Sequence, residues 1–132
     1  MKIFISYADQ DVEVAKQLAS ELRNAGYEVW NPEKELLPGD DYRIEENKAR
    51  KRSRAMIVLL SAASLRTDRV REDINFALGS LQFCNRLIPV QVSSVASDSI
   101  PWILKKIKVV RFVPGRDDIL DDIIERLEGA PV

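Results

Sequence analysis

The run Ala55-Met56-Ile57-Val58-Leu59-Leu60 carries no polar residue in six positions. A strand with one face in water alternates apolar and polar side chains. A strand without alternation needs cover on both faces, and the usual solution is an interior strand of a parallel sheet flanked by helices. The rest of the chain supplies the parts. Residues 3–6, 27–30, 87–92 and 109–113 read as four more strands. Asp9 or Asp11 is expected to cap a first helix with apolar positions Val12, Ala15, Leu18, Ala19 and Leu22, which Gly26 ends. A short helix over 42–52 has a thin apolar face of Tyr42, Ile44 and Ala49, so this region is expected to be loosely held. Val70, Ile74, Ala77, Leu78 and Leu81 mark a third helix, Pro101 to Leu104 a short helix or turn, and residues 117–127 a last one. Pro89 lacks a ladder N–H, which puts it at an edge, an end or a bulge. Strands alternating with helices imply an α/β, flavodoxin-like three-layer sandwich, with a five-stranded parallel sheet in the order 2-1-3-4-5. One domain over residues 1–128 is expected, with 129–132 frayed.

Composition removes several classes of function. The 132 residues, 45% apolar and 31% charged, suit one globular domain with a real core. With no histidine and only Cys84, no internal disulfide is possible and no metal site is expected. Twenty basic against 21 acidic residues argue against a nucleic-acid partner. The first residues lack the pattern of a secretory signal, and no apolar run reaches the roughly 18 residues that span a bilayer. A cytoplasmic protein without a membrane partner is the expectation.

In such a sheet, ligands bind beyond the carboxyl ends of the strands. The first strand ends at Ser6-Tyr7, followed by Ala8-Asp9-Gln10-Asp11. The second ends at Trp30 and opens into a long charged loop. A phosphate-receiver domain needs an aspartate after the third strand and a lysine after the fifth; here stand Leu60-Ser61 and Val113-Pro114. The acidic turn after strand one does not suit a flavin phosphate, and no Walker-type or GxGxxG loop is present.

Phe4-Ile5-Ser6-Tyr7 with Asp11 is one of an ordered series of motifs. Val29-Trp30 and Leu36-Leu37-Pro38-Gly39-Asp40 follow, then Ser53 with Ile57-Val58-Leu59-Leu60-Ser61. Phe76-Ala77-Leu78, Asn85-Arg86-Leu87-Ile88-Pro89-Val90 and Ile100-Pro101-Trp102-Ile103-Leu104 complete it. The series resembles a TIR (Toll/interleukin-1 receptor homology) domain of the bacterial branch. The resemblance implies a signalling or defence module whose partners are other TIR domains or its own copies. It implies that the BB loop, here Leu36, Leu37, Pro38, Gly39 and Asp40, builds those contacts and covers a nucleotide pocket. Host-directed mimicry of TIR adaptors is a third reading.

Many members of that family also cleave the nicotinamide–ribose bond of NAD⁺, so NAD⁺ is a possible substrate and no cofactor is implied. Their catalytic glutamate lies on the helix after strand three, four residues after a tryptophan. Here the tryptophan slot holds Arg69 and the glutamate slot Asp73, with Glu72 beside it. Residues 69, 73, 76 and 77 share one side of a helix, while 72 points about 100° away. Asp73 has the right direction but is one methylene short; Glu72 has the length but the wrong direction. A carboxylate displaced by about 1 Å from an oxocarbenium-like transition state costs roughly a hundredfold. NAD⁺ turnover is therefore expected to be weak or absent, and the enzyme reading stays open.

Each candidate has a plainer reading beside it. Ser6 and Tyr7 either bond a nucleotide or finish the strand. Trp30 either stacks on a ligand ring or packs in the core. Ser61 either lines the pocket or makes a turn with Ser64. Glu72 and Asp73 also read as a solvated acidic pair satisfied by Arg69 and Arg71. The cations Lys48, Arg50, Lys51, Arg52 and Arg54 suit either an acidic partner or a helix C-terminus. The loop with Glu33, Lys34 and Glu35 ahead of Leu36-Leu37 reads as a docking element, because loops of this length are usually functional.

Overall fold

A computed structural model describes residues 2–30, 36–83, 86–107, 109–112 and 118–128. The expected fraying at 129–132 and the loop residues Glu33, Lys34 and Glu35 lie outside the described residues. Five parallel strands run in the order β2-β1-β3-β4-β5: β1 (Lys2–Ser6), β2 (Glu28–Val29), β3 (Ala55–Leu60), β4 (Leu87–Gln91) and β5 (Val110–Arg111). The helices are α1 (Val12–Asn24), α2 (Tyr42–Arg52), α3 (Asp68–Leu78), α4 (Trp102–Lys105) and α5 (Asp118–Glu128). The flavodoxin-like expectation and its strand order hold.

Strand alternation divides the core. Ile3, Ile5, Ile57, Leu59, Ile88 and Val90 face α1 and α5. Phe4, Met56, Val58 and Leu60 face α3, with Val70, Ile74 and Ala77. All six residues of β3 are buried, as its unbroken apolar run requires. Leu18 and Leu22 of α1 and Ile123 and Leu127 of α5 are fully enclosed. Burying side chains of this kind stabilises the fold by about 1.5–3 kcal/mol each.

Several details differ from expectation for local reasons. Neither Asp9 nor Asp11 caps α1. A 3₁₀ turn over Asp9–Asp11 runs into the helix instead, and the Asp11 carboxylate accepts the Ser61 hydroxyl at 2.5 Å. Gly26, at φ 98°, ends α1 with the two bonds of a Schellman motif: Tyr27 N–H to Leu22 C=O and Gly26 N–H to Arg23 C=O. Helix α3 stops at Leu78, which is exposed, and Leu81 falls in a separate 3₁₀ turn. Pro89 sits in an interior strand. Met56 N–H bonds Arg86 C=O and Val92 N–H bonds Leu60 C=O, so even residues of β4 bond β3 and odd ones turn toward β5. Among the described residues pairing with β5 begins at Val90, so no described ladder bond needs the N–H that Pro89 lacks.

Helix α2 is held by polar contacts rather than an apolar face. Asp41 caps it, accepting the N–H groups of Arg43 at 2.9 Å and Ile44 at 3.4 Å. Its last turn is clamped by Gln82, whose amide donates to the carbonyls of Arg50 and Ser53 at 3.0 Å each. Among the described residues no helix is long and apolar enough to cross a membrane.

Candidate functional site

A cavity of about 270 Å³ opens at the carboxyl end of β1, on the side of β2, along the edge of the sheet where such folds bind ligands. Ser6 and Tyr7 come from β1 and the turn after it, Trp30 from the end of β2, and Arg69 and Asp73 from α3. These are five of the residues singled out in the sequence. The structure also brings Lys16 and Arg23 from α1 and Tyr42 and Glu46 from α2 to the same cavity.

Asp73 forms part of the wall and is only 1% exposed. It lies on the buried face of α3 because it shares a helical stripe with Val70, Ile74 and Ala77. Ser6 Oγ donates to its Oδ2 at 2.7 Å, and Arg50 Nη1 donates to its Oδ1 at 2.8 Å. Burial pushes the Asp73 carboxyl above the ordinary carboxylate value, while the bonds from Ser6 and Arg50 and the charge of Arg69 pull it back. The reading of Glu72-Asp73 as a solvated acidic pair is corrected for Asp73. Glu72 is exposed and does not line the cavity.

Arg50 belongs to the run of cations that suits either an acidic partner or a helix C-terminus. It stands in the last turn of α2 and turns inward to an acidic partner within the chain, Asp73. Besides Asp73 it donates to Asn47 Oδ1 at 2.9 Å, and its guanidinium lies 4.2 Å from the centre of the Phe76 ring. Arg69 donates from Nη2 to the Tyr7 carbonyl at 2.8 Å and approaches Asp9 at 3.6 Å. Trp30 is stacked on Phe4, with ring centres 5.8 Å apart and planes 12° apart. Tyr42 is tilted by 59° to the same indole, with ring centres 6.0 Å apart. The indole therefore packs against the core and lines the cavity at once.

Glu46 is the functional candidate that sequence reading passed over. It is 8% exposed. Burial pushes its carboxyl up, the neighbouring Asp73 charge adds to the rise, and Arg69, Tyr42 and Arg50 oppose it. Tyr42, in turn, is held at about 12 by burial and by the charge of Glu46, so its phenol stays protonated. The signal was available in the spacing: Tyr42, Glu46 and Arg50 recur every four residues, on the face that also buries Ala49.

Ser61 lies outside the cavity. Its N–H donates to Ser64 Oγ at 2.8 Å and its hydroxyl accepts Ser64 N–H at 3.0 Å, which is the turn reading. In the loop before α2, Leu37 N–H donates to Asp40 Oδ2 at 2.8 Å and Asp40 N–H to Leu37 C=O at 3.0 Å. Gly39 supplies the φ of 92° that this Pro-Gly turn needs. Leu36 is half-buried; Leu37, Pro38, Gly39 and Asp40 are exposed, Leu37 by 67%. None of the five lines the cavity.

The cavity thus combines two carboxyl groups, three cations and an aromatic wall. Cations take phosphate, carboxylates take hydroxyl groups, and an indole takes a flat ring. Comparison with known proteins gives a consistent family. A curated bacterial relative, 2′ cyclic ADP-D-ribose synthase BtTIR of Bacteroides thetaiotaomicron, is 27% identical over 136 residues. The match takes in 96% of this chain but only 44% of that protein's length. A metazoan TIR-STING receptor from C. gigas superposes with a TM-score of 0.75 at 25% identity, over 95% of this chain and 38% of that one. The TIR domain of the Toll-related receptor TRR-2 from Hydra magnipapillata has the same fold, with a TM-score of 0.72 at 19% identity, over 95% of this chain and 93% of that one. The family model described as TIR domain matches residues 3–127, so the chain belongs to the TIR-domain family.

Proposed function

We propose that this TIR domain is an interaction and ligand-sensing module of a signalling or defence system. It associates with other TIR domains, its own copies included, through the turn at Leu37. It holds a nucleotide of the NAD⁺ or ADP-ribose class in the cavity and turns it over slowly or not at all. The observation that carries this reading is the state of Asp73. A carboxylate that assists departure of nicotinamide must reach the ribose as positive charge develops. Both oxygens of Asp73 are instead engaged by Ser6 and Arg50, inside the wall. The test is concentrated protein with NAD⁺, followed for nicotinamide release, alongside titration with ADP-ribose. Binding without appreciable release supports the module; rapid release abolished by Asp73→Asn would overturn it.

A second reading, an NAD⁺ nucleosidase active on assembly, has its own support. The relative from Bacteroides thetaiotaomicron is named for making a cyclised ADP-ribose. A further carboxyl, Glu46, lines this cavity. Release that rises more steeply than protein concentration would favour it.

A further inference from the structure

We propose that Glu46 of α2, and not Asp73 of α3, is the carboxylate that contacts the ligand in this cavity, and that it accepts the vicinal hydroxyls of a ribose whose phosphate is taken by the nearby cations. The assignment rests on the nucleotide reading above and names the residue that does the recognition.

Three observations support it. Asp73 is committed to the protein: one oxygen serves Ser6, the other Arg50, and almost none of its surface is open. Glu46 lines the same cavity from the opposite helix and, among the described residues, makes no ion pair. Arg50, one turn further along α2, is the cation that would pair with it, but it is spent on Asp73 and Asn47. The partner left to Glu46 is the phenol of Tyr42, with the charges of Arg69 and Arg50 nearby, and a carboxylate with one such donor keeps acceptor capacity for a ligand. Finally, the surroundings of Glu46 match one class of molecule. Arg69, Lys16 and Arg23 line the same cavity for a phosphate, and Trp30 and Tyr42 supply a wall for a ring. A ligand with a diol, a phosphate and a flat ring on one scaffold is a nucleotide. The raised proton affinity of Glu46 agrees with this geometry.

The test uses ADP-ribose as the probe, in calorimetric titration against wild type, Glu46→Gln, Glu46→Asp and Glu45→Gln. Loss of charge-assisted hydrogen bonds should weaken binding of ADP-ribose to Glu46→Gln by about tenfold. Glu46→Asp keeps the charge but withdraws it by one methylene, and should fall between the two. Glu45→Gln, whose side chain pairs with Lys48 at 3.4 Å, should bind as wild type does. Unchanged affinity in Glu46→Gln overturns the assignment while leaving the nucleotide reading in place. So does an equal loss in Glu45→Gln, which would mean that overall charge alone is at work. A wild type that binds no ADP-ribose overturns the nucleotide reading and this assignment together.

Discussion

Replacing Asp73 by alanine takes the acceptor away from two donors at once. The Ser6 hydroxyl, buried at the end of β1, loses its partner at 2.7 Å; an orphaned buried hydroxyl costs about 1–3 kcal/mol. Arg50 loses its carboxylate at 2.8 Å. Breaking a fully buried ion pair costs about 3–5 kcal/mol, but Arg50 is partly exposed and keeps Asn47 and the Phe76 ring, so about 2 kcal/mol is the better figure. Removing a carboxyl that burial already disfavours returns part of that loss. The net loss expected is about 3 kcal/mol. For a domain of this size that lowers Tm by roughly 10 °C, from a total stability on the order of 10 kcal/mol, so the variant still folds. Urea denaturation at neutral pH measures it. A double-mutant cycle with Ser6→Ala should show coupling of about 1 kcal/mol between the two positions. A loss below about 0.5 kcal/mol, or no coupling, would refute the view that Asp73 is a structural anchor.

Glu46→Gln should be more stable than wild type at neutral pH. The folded state holds the Glu46 proton above the ordinary 4.5, so it binds more protons than the unfolded chain in that window, and wild-type stability falls as pH rises through it; thermal melts in which the variant shows no smaller fall than wild type would contradict this. Asp73→Glu cannot seat its longer side chain between Ser6 and Arg50; it should lose about 1–2 kcal/mol and release more nicotinamide from NAD⁺ than wild type. Glu72→Gln, on the exposed face, should change neither quantity, and an effect as large as that of Asp73→Glu would put the register of α3 in error. Leu37→Asp should abolish concentration-dependent self-association in sedimentation velocity without altering the melting curve, since Leu37 is 67% exposed; sedimentation that matches wild type at every concentration would remove the loop from the contact.

The fold was legible because the sheet imposes period and length on the sequence. The unbroken apolar run of β3 requires two covered faces, and the βα alternation then leaves one sensible strand order. The direction of Asp73 was legible too, from its phase with Val70, Ile74 and Ala77. Its partners were not. Arg50 lies 23 residues upstream in a helix that is almost entirely polar, where nothing local says which polar side turns inward. The same ambiguity hid Glu46, which belongs to the helix whose thin apolar face read as loosely held and is a buried part of the cavity wall. Asp11 read as a local cap because capping is the commonest role for such a residue. A hydroxyl 50 residues away, at the end of β3, took its carboxylate instead.

The placement of the two tryptophans has an optical consequence. Trp30 packs against Phe4 and Tyr42 in the wall of the crevice, whereas Trp102 is 68% exposed on α4 with Lys106 over its ring. The protein therefore emits as two separable populations, one shielded and one in contact with water. Substituting phenylalanine at Trp102 leaves a single emitter inside the wall of the crevice. Occupancy of that crevice, by whatever molecule, then becomes visible as quenching or a spectral shift of the native fluorescence, with no label attached.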